Sequence, residues 1–226
     1  MDRSWFSRER GFTGYEPPGL LWGLFGKRQN SNAVVKPDSV PNDVDSEQQA
    51  NADTTEVRNA YSENIQAVMQ EVKATDFGND GTKYWSWFYG YESSRNDGWC
   101  AVFVSYLMSK AGIDVDSPTN EFYNFRSLPN DQSSYFAAHD CYCSAESGYT
   151  PKTGDLVFLD YNGDNYSDHV GMIYVDETGT YILHGNWSDQ VSYSNLYQDY
   201  ANANQKICET VMGYGDVSKL YLYQNS

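Results

Sequence analysis

Gly154-Asp155-Leu156-Val157-Phe158-Leu159-Asp160 marks the point where the chain changes its period. Before this stretch, apolar residues recur every three or four positions. From Gly154 onward they come in short runs separated by turn signals such as Glu177-Thr178-Gly179. The first pattern reads as helix and the second as strand. Strands are predicted over 155–160, 169–176, 180–185 and roughly 190–193, with a last pair near 209–214 and 219–223. Helices first and an antiparallel sheet after them predict an α+β domain.

On the N-terminal side of Gly154, an N-cap and an acidic first turn open a helix near Asp53-Thr54-Thr55-Glu56. Val57, Tyr61, Ile65, Val68 and Val72 follow at helical spacing, so this helix turns one apolar face to the core. The aromatic run Tyr84-Trp85-Ser86-Trp87-Phe88-Tyr89 has Gly and Asn on both sides and cannot belong to a long helix. Its rings either wall a groove or close the core. A second helix is predicted from Trp99 to about Lys110, with Trp99, Phe103, Tyr106, Leu107 and Lys110 on one stripe and Gly112 as its stop. Residues 114–150 show no clear period and read as a long insertion holding one short helix.

Residues 28–53 are rich in Asn, Asp, Ser, Gln and Pro, the composition of a flexible linker. The expected organisation is therefore a tail over 1–27, a linker over 28–53 and a folded domain over 54–226. The apolar run at 19–26 is short and broken by glycine. Nowhere is there the run of about 18 apolar residues that a membrane span needs, and no small-residue cleavage site of a signal peptide follows Arg3, Arg8 and Arg10.

The net charge of −16 falls almost entirely on the domain. Residues 1–50 carry 6 Lys and Arg against 7 Asp and Glu, whereas the remainder carries 9 against 24. Sparse, scattered cations give no footprint for nucleic acid, and anionic surfaces would repel the domain. Cys141-Tyr142-Cys143 is too tight for a disulfide within itself and lacks zinc spacing. One of the two could pair with Cys208.

Chemistry is concentrated in two places. Asp97-Gly98-Trp99-Cys100 sets Cys100 at the first turn of a helix, where unpaired N–H groups and the helix dipole stabilise a thiolate. Asp168-His169-Val170-Gly171 sets His169 on a strand, from which an imidazole can serve as general base. With only three His and four Cys in the chain, few residues compete for these roles.

In order and spacing, several segments resemble CHAP domains, the cysteine- and histidine-dependent amidohydrolases/peptidases. They are Trp99-Cys100-Ala101-Val102-Phe103-Val104-Ser105, the upstream aromatic run, Thr153-Gly154-Asp155-Leu156-Val157-Phe158-Leu159 and Asp168-His169-Val170-Gly171-Met172-Ile173. The likeness covers about residues 55–215. It implies a papain-like fold and hydrolysis of an amide in peptidoglycan, either the N-acetylmuramoyl–L-alanine link or a peptide bond of the stem or cross-bridge. It implies no required cofactor and a place of action outside the cell or in its wall, with storage in the cytoplasm until release as the alternative. A protein partner could dock through the N-terminal tail.

The sequence departs from that family at His184-Gly185-Asn186, where a Glu-Gly-Asn is usual. Strand alternation puts positions 184 and 186 on one face, so either His184 or Asn186 could orient His169. The same departure leaves open a degenerate domain that binds wall without turnover. A cysteine hydrolase acting on some other amide is a third reading.

Finally, Asp160, Asn162, Asp164 and Asp168 fall at positions 1, 3, 5 and 9 of a calcium-loop register. Gly163 at position 4 and Gly171 at position 12 break the register, so the alternative is an acidic turn joining two strands.

Overall fold

The structure is a computed structural model that describes residues 44–94, 97–199 and 205–224, with side chains from Thr54 onward. The chain divides into residues 1–50 and 51–226. The tail and most of the stretch read as linker lie outside the described residues.

Helix α1 spans Val44–Thr75 and so begins before the expected start near Asp53. Of the residues read from the sequence, Tyr61, Ile65 and Val72 are buried and Val57 and Val68 are half-buried, while Met69, not expected, is buried beside them. Asp76 ends it by accepting from Thr75 Oγ1 (2.8 Å), Lys83 Nζ (2.6 Å) and Tyr84 Oη (2.6 Å), which ties α1 to α2, Thr82–Tyr89. Tyr84 and Trp85 are buried in the core, and Tyr84 stacks on Trp99 with ring centroids 5.3 Å apart. These aromatics therefore close the core.

Helix α3, Cys100–Lys110, is buried on more than the single stripe expected: Ala101, Val102, Val104 and Ser105 are inside as well. It lies between the sheet on one side and α2 and α4 on the other, so a one-faced pattern does not describe it. The insertion supplies helix α4, Pro129–Ala138, and a 3₁₀ turn, Glu121–Phe125. Both are pinned to α3 by polar contacts: buried Gln132 donates to the carbonyl of Ala101 (3.0 Å) and to Ser105 Oγ (2.9 Å), and Ser105 Oγ donates to the carbonyl of Arg126 (2.9 Å).

Six strands form one antiparallel sheet: β1 Tyr142–Ser144, β2 Leu156–Leu159, β3 His169–Asp176, β4 Gly179–Trp187, β5 Gln190–Asn195 and β6 Val211–Gly215. Their spatial order is β1-β6-β2-β3-β4-β5. Three-residue β1 has no sequence signal of its own and exists through its pairing with β6. The strand predicted at 219–223 is instead helix α5, Val217–Gln224. Asp216 starts that helix, accepting at Oδ1 from Lys219 N (3.0 Å) and Ser218 Oγ (2.6 Å), while Val217 and Leu220 are its buried residues. An Asp cap and i, i+3 burial outweigh the β-propensity of the local Tyr and Leu residues.

The two faces of the sheet are covered differently. Leu156, Phe158, Val170, Met172 and Leu183 pack with the residues of α1 and α3. Val157, Leu159, Ile173 and Ile182 pack with Leu196, Tyr214 and Ile207, the last on a 3₁₀ turn over Ile207–Thr210. Both faces are thus apolar, which explains why β2 reads as a continuous apolar run without alternation.

Candidate active site

Strand β3 opens at His169, and antiparallel pairing brings its partner strand back to the same end of the sheet at His184, which sits opposite Gly171. Glycine is needed there, because a Cβ on residue 171 would lie 2.3 Å from Ile182 Cγ2 and 3.3 Å from His184 Nδ1. Both imidazoles stand on the sheet face that carries Ile173 and Ile182. His169 Nε2 and His184 Nδ1 are 3.0 Å apart, a hydrogen bond between two buried rings. On its far side His184 Nε2 meets Ser194 Oγ of β5 at 2.5 Å. Trp187 stacks on the His184 ring with centroids 4.4 Å apart. Burial disfavours the charged form of each ring, and at His184 the neighbouring His169 adds to it, so both are held neutral well below the usual imidazole range.

Asn186 has a different place from the one alternation predicts. A bulge between His184 and Trp187 shifts the register, and Asn186 adopts φ 60°. The phase that would have put residues 184 and 186 on one face is lost. His184 is therefore the residue that meets the ring of His169.

Cys100 is the first residue of α3 and is buried. Trp99 caps the helix without a side-chain hydrogen bond. The helix start meets the sheet at Gly185, next to His184: a Cβ there would lie 2.4 Å from Phe103 Cβ and 2.7 Å from Trp99 Cζ3. Trp99 and Phe103 bracket Cys100 on α3, so this close approach brings the cysteine's turn to the same end of the sheet as the two imidazoles. His169 uses only Nε2 in hydrogen bonding among the described residues, which leaves Nδ1 for a proton.

Residues 84–209, more than half of the chain, match the NlpC/P60 family. The chain belongs to the NlpC/P60 family. This is a papain-like cysteine peptidase family related to CHAP domains, and membership places the chain among cell-wall peptidases and hydrolases. No curated protein matches the chain. The six-stranded antiparallel sheet with its packed helices is consistent with the α+β, papain-like fold of NlpC/P60 domains.

In this NlpC/P60 chain the acidic loop before His169 folds on itself. Asp160 accepts from the backbone N–H groups of Asn162, Gly163 and Asn165, and Asn162 accepts from that of Asp164. Asp164 accepts from Tyr166 N, and Asp168 from Tyr161 N. Among the described residues no group of three or more His, Cys, Asp or Glu side chains converges as a metal site would need. The four cysteines are all thiols, so the pairing of Cys208 with Cys141 or Cys143 is not formed.

Two site residues escaped the reading of the sequence. Ser194 is one of 23 serines in the chain and carries no local signal until β5 is placed beside β4, and Trp187 follows a bulge whose phase the sequence does not reveal.

Proposed function

We propose that the protein hydrolyses an amide bond of peptidoglycan, with Cys100 as nucleophile, His169 as general base and acid, and His184 as the residue that orients His169. The observation that carries this reading is the buried 3.0 Å pair of His169 Nε2 and His184 Nδ1 at the end of the sheet where α3 begins. A neutral imidazole has one N–H and one lone pair. With the Nε2–H of His169 given to His184, the lone pair of Nδ1 accepts the thiol proton of Cys100 as sulfur attacks the amide carbonyl. The N–H of Cys100 at the helix start supports the oxyanion, a contact worth about 3–4 kcal/mol per donor. Collapse of the tetrahedral adduct breaks the C–N bond, and His169 passes its proton to the leaving amine. Water then enters, gives a proton to His169 and frees the acid from sulfur.

The scheme draws on no metal or cofactor, and its place of action is the wall. The bond is either a peptide bond of the stem or cross-bridge or the N-acetylmuramoyl–L-alanine amide. Incubation with purified sacculi and mass spectrometry of the released fragments reports activity and bond together. Cys100→Ala should abolish release, and retained release would remove the scheme. Binding to sacculi without any release by the natural protein would support the non-hydrolytic binding module instead.

A further inference from the structure

The hydrogen-bond chain does not stop at the second histidine. His184 is fully buried, with 0% of its surface exposed, and Ser194 is 5% exposed, so no bulk water competes for the 2.5 Å contact between Nε2 and Oγ. That contact can be polarised in two ways. Either the serine donates to Nε2, or the imidazole donates through Nε2–H and the serine accepts.

The two cases have opposite consequences at His169. A neutral His184 holds a single proton. If Ser194 donates, that proton sits on Nδ1 and is given to His169 Nε2. His169 must then carry its own proton on Nδ1 and cannot take one there. If Ser194 accepts, His184 holds its proton on Nε2 and presents a lone pair at Nδ1 to the Nε2–H of His169. Only this second arrangement leaves His169 Nδ1 able to act as a base.

We infer that Ser194 is a positioning residue that fixes His184 as its Nε2–H tautomer, and through it sets His169 to accept a proton at Nδ1. The contact itself admits either polarity, and the inference rests on the hydrolase reading to choose between them. Position supports the assignment. Ser194 pairs with Ile182 across the β4–β5 ladder, and the bulge comes only after His184, so the serine shares the histidine's face before register is lost. A serine hydroxyl rotates freely enough to accept here, which no aliphatic side chain can do.

The test is nitrogen-15 NMR of the histidine rings in the full chain at neutral pH, paired with steady-state kinetics on soluble wall fragments. In the natural protein His184 should show a protonated Nε2; a protonated Nδ1 would overturn the inference. In Ser194→Ala the Nε2–H loses its acceptor, so the tautomer ratio should move toward Nδ1–H. Its kcat should fall roughly tenfold, about what one neutral hydrogen bond is worth, with KM unchanged. Ser194→Thr keeps a hydroxyl and should restore both readouts.

A fall in kcat without any change of tautomer would mark a packing effect and also overturn the inference. Should Ser194→Ala fail to fold, the tautomer in the natural protein still decides. Failure of the hydrolase reading shows separately, as release that survives Cys100→Ala, and leaves the ring measurement valid.

Discussion

Four thiols in one small domain differ in what surrounds them. Cys141 is buried beside Asp140 and Asp216, and its thiol is pushed up to about 11, chiefly by loss of solvent. Cys143 is raised in the same direction for the same first reason. Cys100 alone begins a helix, and the start of that helix lies against Gly185, the residue after His184. A limiting amount of iodoacetamide at neutral pH should therefore label Cys100 first, roughly ten or more times faster than Cys141, because only thiolate reacts. Peptide mapping after partial labelling reads the order. Modification of Cys141 ahead of Cys100 would contradict the assignment of the nucleophile.

At the scale of elements, the site depends on how closely α3 approaches β4. Gly185 makes that approach possible, since any Cβ there would stand inside the van der Waals radius of Phe103 Cβ, at 2.4 Å. The obstacle would be the side-chain root of a buried helix residue, which has nowhere to go because α2 and α4 hold α3 from behind. Gly185→Ala should cost about 1–3 kcal/mol, the usual range for overpacking. It should also lower activity measured well below the melting temperature, because the first turn of α3 must move off the sheet. Thermal melting and sacculus release would give both numbers. Full activity with lowered stability would show that the site does not need this contact.

For the whole molecule, pH couples to stability through Asp155. Its carboxyl accepts from Lys152 N (2.7 Å) and Tyr149 Oη (2.9 Å). Burial nevertheless pushes its pKa up to about 7, with Asp216 adding to the rise. An unfolded chain loses this proton near about 3.9. Between those values the folded state binds more protons, so stability falls as pH rises and the loss is complete above about 7, amounting to no more than about 4 kcal/mol. The buried histidines act in the opposite direction below about 6.5, where the unfolded chain takes up their protons. The clean comparison is therefore Asp155→Asn against the natural protein. Asn keeps both acceptor contacts and does not titrate, so the melting temperature of the variant relative to the parent should climb from pH 4 to pH 8. A constant offset across that range would show that Asp155 is ionised in the fold.

Much of this architecture was legible in order along the chain. The helix-to-strand change at Gly154, the apolar spacing of α1, the start of α3 at Cys100 and the strand that begins at His169 all follow from local period and capping, which each segment carries within itself. What sequence left open was decided by contacts between segments. Whether 219–223 would be strand or helix depended on Asp216 as a cap and on which face Leu220 could bury. The choice between His184 and Asn186 depended on a bulge, and a bulge depends on how two strands share hydrogen bonds. Ser194 gained its place only when β5 was laid beside β4. Period is a property of one segment, whereas register, bulges and buried polar chains exist only between segments, so tertiary structure alone could choose them.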